Sequence, residues 1–164
     1  MAIAAWDPGQ PRITVSGSSM PRILQGNLEA NSQTFKAGHF VYLNSGAVTY
    51  YPGGDIPVAG VALKDATNVT SGNIAIPILA LEPGMEVYIQ TATSGDVLED
   101  CNTTCVVGVA YDTNADVTKP SYIDSSDTTN GCFVFLGPLY DALGDVDSWG
   151  RFMVSALENQ VSTP

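Results

Sequence analysis

The sequence predicts a mainly β protein: a compact antiparallel β-barrel or sandwich built from two similar four-strand units, with an extended N-terminal arm and one C-terminal amphipathic helix. Three observations lead there. Apolar or alternating runs of five to seven residues recur between turn signals such as Asn44-Ser45-Gly46, Pro52-Gly53-Gly54-Asp55 and Thr93-Ser94-Gly95-Asp96, which is how strands joined by tight turns are written. The runs echo one another at an offset of 46 to 49 residues, and self-similarity at a fixed period marks a duplicated unit. Near the C-terminus the apolar spacing changes from that of a strand to that of a helix.

Residues 1 to 34 form the arm. Pro8, Pro11 and Pro21, the glycines Gly9, Gly17 and Gly26, and the polar runs Ser16-Gly17-Ser18-Ser19 and Asn31-Ser32-Gln33-Thr34 keep it extended, leaving β-capable pieces at Arg12 to Val15 and Arg22 to Leu24. The β domain spans residues 35 to 137. Its first unit, residues 36 to 79, contains Ala37-Gly38-His39-Phe40-Val41-Tyr42-Leu43, Gly46-Ala47-Val48 and Val58-Ala59-Gly60-Val61-Ala62-Leu63. The second, residues 82 to 136, answers with Pro83-Gly84-Met85-Glu86-Val87-Tyr88-Ile89, Gly95-Asp96-Val97 and Val107-Gly108-Val109-Ala110-Tyr111. Each unit closes with an apolar strand after a glycine, Gly72-Asn73-Ile74-Ala75-Ile76 and Gly131-Cys132-Phe133-Val134-Phe135, and two such halves bury their apolar faces against each other. In the C-terminal segment, residues 138 to 164, Val146, Trp149, Phe152, Met153, Ala156 and Leu157 fall at helical spacing with Asp145 or Asp147 as cap, which predicts a helix over about 145–159. Its stripe, Trp149, Phe152 and Met153, is expected to pack on the β body or on another subunit.

Composition excludes several function classes. Seventeen acids against six bases give a net charge of −11, unfavourable for nucleic acid, whose binding requires cations that displace phosphate counterions, and for anionic lipid. The longest apolar stretch, Ile74 to Leu81, has eight residues and contains Pro77, against the roughly 20 needed to span a bilayer, so no membrane partner is expected. No secretory signal is visible at the start. The charge is uneven: the first 36 residues hold Arg12, Arg22 and Lys36 against Asp7 and Glu29, so the arm is slightly basic and the rest strongly acidic.

The chemistry-bearing residues are sparse. His39 is the only histidine, which removes most routes to general acid–base catalysis near neutral pH, and it is expected at an outward strand position. No nucleophile elbow, phosphate loop or paired metal-ligand spacing occurs. Asp112-Thr113-Asn114-Ala115-Asp116 begins like a calcium loop, but Val117 and Ile123 stand where that loop needs Gly and Glu. Cys101-Asn-Thr-Thr-Cys105 leaves a disulfide and free thiols both open, and Cys132 reads as a small buried hydrophobe. No enzyme activity, catalytic residue, metal or cofactor is expected.

The phrase Phe35-Lys36-Ala37-Gly38-His39-Phe40-Val41-Tyr42-Leu43, the Gly46-Ala47-Val48 strand and Ile56-Pro57-Val58-Ala59-Gly60-Val61-Ala62 resemble the pattern of tailed-bacteriophage capsid decoration proteins, also called cement proteins, over about residues 35 to 112. The resemblance implies a non-enzymatic virion protein on the outer capsid surface, made in the host cytoplasm. It would be a homotrimer in preference to a dimer, fastened to neighbouring major capsid protein subunits and bracing the head. The residues accord with this: Arg12 and Arg22 suit acidic capsid groups, and Ile13, Val15, Ile23 and Leu24 offer apolar anchors. The alternative is a carbohydrate-binding β module or tail-fibre domain, suggested by Trp6, Trp149 and seven tyrosines.

Overall fold

A computed structural model describes residues 12–14, 22–52, 56–70, 74–91, 97–98, 101, 104–108, 121–125, 131–139, 143–144 and 148–155, with 12–14 and 104–108 described through their backbone. Among the described residues the regular elements are all β-strands, with no α-helix. Eleven strands run in order: β1 (Arg12–Thr14), β2 (Ile23–Leu24), β3 (Phe40–Asn44), β4 (Ala47–Tyr50), β5 (Gly60–Ala62), β6 (Ile78–Ala80), β7 (Glu86–Gln90), β8 (Thr104–Gly108), β9 (Tyr122–Asp124), β10 (Phe133–Pro138) and β11 (Trp149–Val154). They form two antiparallel sheets, one of five strands ordered β2-β6-β5-β3-β4 and one of six ordered β1-β7-β11-β10-β8-β9.

The turn chemistry read from the sequence is realised between β3 and β4. Ser45 and Gly46 both take positive φ, 49° and 86°, the two-residue turn whose twist suits a hairpin. Asn27 secures it, its Nδ2 donating to the Gly46 carbonyl at 3.2 Å.

Both sheets feed one core. Phe40, Val61 and Tyr51 from the five-stranded side meet Val87, Ile89, Ile123, Phe133, Phe152 and Val154 from the six-stranded side, and the Phe40 and Phe133 rings lie 5.3 Å apart at a tilted angle, a favourable aromatic geometry. A second cluster, including Phe35, Val41, Val48, Ala62, Ile76 and Ile78, buries the other face of the five-stranded sheet. β5 is therefore buried on both faces, which is why Gly60-Val61-Ala62 is a continuous apolar run instead of an alternating one.

Residues 22 to 34 are stitched into this body. The Arg22 carbonyl accepts from Ala80 N–H at 2.8 Å, the Asn27 carbonyl accepts from Ile76 N–H at 3.0 Å, and Glu29 N–H donates to the Ile74 carbonyl at 2.7 Å. On its other side the same segment meets β4: Val48 N–H donates to the Leu28 carbonyl at 2.8 Å and Ala30 N–H to the Val48 carbonyl at 2.9 Å. One stretch of nine residues thus satisfies backbone groups at both ends of the five-stranded sheet, where unpaired edges would otherwise remain.

The C-terminal helix is corrected. Trp149–Val154 is a strand, hydrogen-bonded between β7 and β10. Trp149, Phe152 and Met153 fit a helical stripe, but the full string alternates in burial: Gly150, Phe152 and Val154 point inward while Trp149, Arg151 and Met153 point outward. Two neighbouring strands with open ladders outweigh a helix-period reading of six residues. Residues 145–147 and 156–159 of that expectation lie outside the described residues.

The two stretches read as similar units fall in different sheets and pair differently. β3 to β6 all lie in the five-stranded sheet and β7 to β10 in the six-stranded one. Yet β3 pairs with β4 and β5, whereas β7, its sequence echo, pairs with β1 and β11. The closing strand of the first unit is also displaced: Ala75 makes only an isolated bridge to Leu28, and the strand proper is Ile78–Ala80.

Candidate interaction face

The outward residues of β7, β11 and β10 make the most chemically distinctive surface among the described residues. Alternation places Glu86, Tyr88 and Gln90 of β7 on the same side as Trp149, Arg151 and Met153 of β11, all half-exposed. Register then fixes the cross-strand pairs: Gln90 with Trp149, Tyr88 with Arg151, and Glu86 with Met153. On the far side Val134 stands opposite Met153, and Leu136, beside the bulge of β10, is 42% exposed. On the near side Arg12 of β1 stands opposite Tyr88. Arginine, Tyr88 and arginine therefore follow one another across three strands.

Arg151 is held loosely. Its Nη1 lies 3.8 Å from Glu86 Oε1, with the arginine side chain 43% exposed, so the pair contributes little in water. Gly137 (φ 142°) lies beneath it, and a Cβ there would sit 3.6 Å from Arg151 Nη2. Tyr, Trp, Met and Arg are the residue types enriched where proteins meet, because each offers a large contact area with a polar handle.

The residues expected to anchor the arm are divided among several surroundings. Arg22 is paired with Glu82 at 3.1 Å, Ile23 is 48% exposed, and Leu24 packs against both Ala59 with Ala80 and the outer cluster. Arg12 and Ile13 lie in β1, the edge strand beside β7, and Val15 lies outside the described residues. Of the three stripe residues, Trp149 and Met153 lie on the outward face and Phe152 belongs to the core, 5.3 Å from Phe135.

Other candidate groups are structural. His39 is fully buried instead of outward; its Nδ1 accepts the Lys36 N–H at 2.9 Å and its ring meets Tyr50 edge-on at 5.4 Å. Nearby, Asp65 accepts the Ala37 N–H at 2.9 Å and Lys36 Nζ at 3.3 Å; the backbone donor, aided by Lys36, holds its carboxyl below the usual value. Cys101 and Cys132 are buried outside any disulfide, and Cys132 Sγ lies 3.2 Å from the Tyr51 hydroxyl. Among the described residues no group of three or more His, Cys, Asp or Glu could hold a metal ion, and no helix is long and apolar enough to cross a membrane. A depression of about 490 Å³ lies between Gly26–Asn31 and Ser45–Ala47.

Sequence reasoning missed Glu29 and Tyr88. Glu29 is fully buried, with its carboxylate accepting Thr67 N–H at 3.0 and 2.9 Å, the Thr67 hydroxyl at 2.8 Å and Asn68 N–H at 2.9 Å. The alternation Glu86-Val87-Tyr88-Ile89-Gln90 could have placed Tyr88 outward, once a strand was assigned there. No protein family, curated protein or solved structure matches the chain.

Proposed function

We propose that the chain is a virion structural protein that binds the outer surface of an assembled tailed-phage capsid and cements neighbouring major capsid protein subunits. It acts as a homo-oligomer, a trimer in preference to a dimer, with its two sheets packed as a compact β-sandwich. The observation that carries this reading is the position of the N-terminal segment. Its two short strands, β1 and β2, are edge strands of the two sheets, so the region with the basic residues and apolar anchors lies where backbone addition to a partner sheet is possible. A strongly acidic chain has no attraction to packaged DNA, which suits a protein working outside the shell.

The test is co-sedimentation of purified protein with expanded phage heads stripped of their own decoration protein. Saturable binding that raises the temperature at which the heads rupture supports the reading, and failure to bind any of a panel of heads overturns it. The informative truncation removes residues 1–21. Removing 1–34 would also strip Arg22–Ala30 and Glu29 from the five-stranded sheet and report unfolding instead of lost anchoring.

A second reading, a carbohydrate-binding or tail-fibre module, is favoured by one observation: Trp149 and Tyr88 share a half-exposed face beside Gln90. A glycan array decides it, since stacking on that face would give hits that Trp149→Ala abolishes.

A further inference from the structure

We infer that the run Met1-Ala2-Ile3-Ala4-Ala5-Trp6 folds back onto an apolar flank of its own chain, made by Leu28, Leu63, Ala75 and Pro77 at one end of the five-stranded sheet. Register makes the flank contiguous. Leu28 stands opposite Ala75, Pro77 follows two residues along, and the Leu63 N–H donates to the Pro77 carbonyl at 2.9 Å. Alternation puts all four on the side of Leu79, which packs against the core between the sheets, because Ile76 and Ile78 turn to the opposite side. The six-stranded sheet leaves them uncovered: Leu28 is 45% and Leu63 43% exposed, and Ala75 is exposed beside a half-buried Pro77. A contiguous, uncharged apolar face that continues a core into water marks a contact site.

The path of the chain names the occupant. β6 passes into β7 through residues 81–85, with Leu81 and Met85 buried in the shared core, so β7 runs back and its Gln90 end lies at the end of the molecule that carries Ala75 and Pro77. β1 is antiparallel to β7, with Thr14 opposite Glu86 and Arg12 opposite Tyr88, and therefore points the chain before Arg12 towards that end. The other chain end is directed away from it, since Val154 N–H donates to the Met85 carbonyl at 2.8 Å. The contact of Phe40 with Phe133 sets β3 against β10, which puts the edge strands β1 and β2 on the same side. Packed sheets lie about 10 Å apart, and the five residues Asp7 to Pro11 span up to about 17 Å, so the run before them reaches the flank around an open edge. Its six side chains carry no charge, and Trp6, nearest the connector, supplies the largest area to bury. Ile23, opposite Leu79 and further towards the other end, stays open. The inference concerns the free chain and does not rest on a capsid partner.

The experiment is the fluorescence of Trp6 in the full chain carrying Trp149→Phe, which removes the only other tryptophan, in the absence of heads. Trp6 is expected to emit in the blue and to resist quenching by acrylamide, at every protein concentration. Leu63→Glu, Leu28→Glu and Ile3→Asp are each expected to shift that emission to the red and to abolish the protection. Leu136→Glu, the same change at a comparably exposed leucine of the six-stranded sheet, is expected to leave Trp6 unmoved. Near-ultraviolet circular dichroism confirms that each variant is folded, and should the glutamate variants not fold, Leu63→Ser carries the test. A water-exposed Trp6 before any flank substitution, a Trp6 that stays protected in a folded Leu63 variant, or an equal effect of Leu136→Glu overturns the proposal. So does protection that is lost on dilution, which would assign the flank to a second copy. Head binding is measured separately, and neither its presence nor its absence alters these outcomes.

Discussion

Glu29 and Thr91 occupy comparable positions, each bridged in parallel across the edge of its sheet, Glu29 to Val48 and Thr91 to Ile123, and both fully buried. Their chemistry is opposite. At Glu29 a carboxylate is taken out of water and compensated by the N–H groups of Thr67 and Asn68 and the Thr67 hydroxyl. At Thr91 a neutral hydroxyl accepts one bond, from Ser148 N–H at 3.1 Å, beside the backbone bond from Thr91 N–H to the Ser148 carbonyl at 3.0 Å. A buried charge requires several donors from a separate loop, whereas a buried hydroxyl is satisfied by one neighbour. The edge of the five-stranded sheet therefore depends on a loop that no ladder holds, and that of the six-stranded sheet does not.

The widest separation between the two edges should come from Glu29→Ala. It leaves the three donors of Thr67 and Asn68 without their buried acceptor and, because hydrogen bonds to a charged group are worth about 1.5–3 kcal/mol each, is expected to cost about 3–5 kcal/mol, enough to unfold a marginal domain. Urea denaturation measures it, and a loss below about 1 kcal/mol would remove the contrast.

Next come the paired glycines. A Cβ at Gly60 of β5 would run into the Leu79 carbonyl oxygen and come within 2.6 Å of Ile78 Cγ2, whereas at Gly150 of β11 it would meet only side chains, Leu98 Cδ2 and Phe152 Cε2, both at 2.7 Å. Backbone cannot step aside as side chains can, so Gly60→Ala should cost more than about 3 kcal/mol and Gly150→Ala about 1–3. Equal melting temperatures for the two variants would contradict this order.

Thr91→Val keeps the shape and removes the acceptor of Ser148 N–H, and is expected to cost about 1–2 kcal/mol; Thr91→Ser should recover most of it. Asp65→Asn is the smallest. Because its folded-state pKa is lowered by the Ala37 N–H and Lys36, the wild-type carboxylate adds stability above the ordinary carboxylate range and loses it as pH falls through the folded value. The difference between wild type and Asp65→Asn should be a few tenths of a kcal/mol at neutral pH, since the side chain is 56% exposed, and should vanish in acid.

The strand class and the β3–β4 hairpin were legible because Asn44-Ser45-Gly46 and the alternation beside it are local signals. β11 was not, because six residues satisfy both a period of two and part of a helical stripe, and the deciding fact, open ladders on β7 and β10, is non-local. Gly150 was the clue against a helix: a liability inside one, it is the inward position of a strand packed tightly against Leu98 and Phe152. The same limit hid Glu29. An acid among Gly, Asn and Pro reads as surface, and only the fold brings residues 67 and 68 to it. Of the candidate face, Trp149 and Met153 could be singled out by type, whereas Tyr88 and Arg151 acquire meaning only from register.

The backbone bonds of Arg22–Ala30 also impose an order of events during synthesis. Arg22 is made 58 residues before Ala80, whose N–H it accepts, an interval of about 3 to 12 s at ~5–20 residues per second. Throughout that time Ile23 and Leu24 have no β6 to pair with, although Leu28 can already meet Val48, and contacts of such long sequence separation form slowly even once the chain is complete. A chain halted before residue 80 leaves β2 without its partner strand, so a segment made early is among the last to be completed.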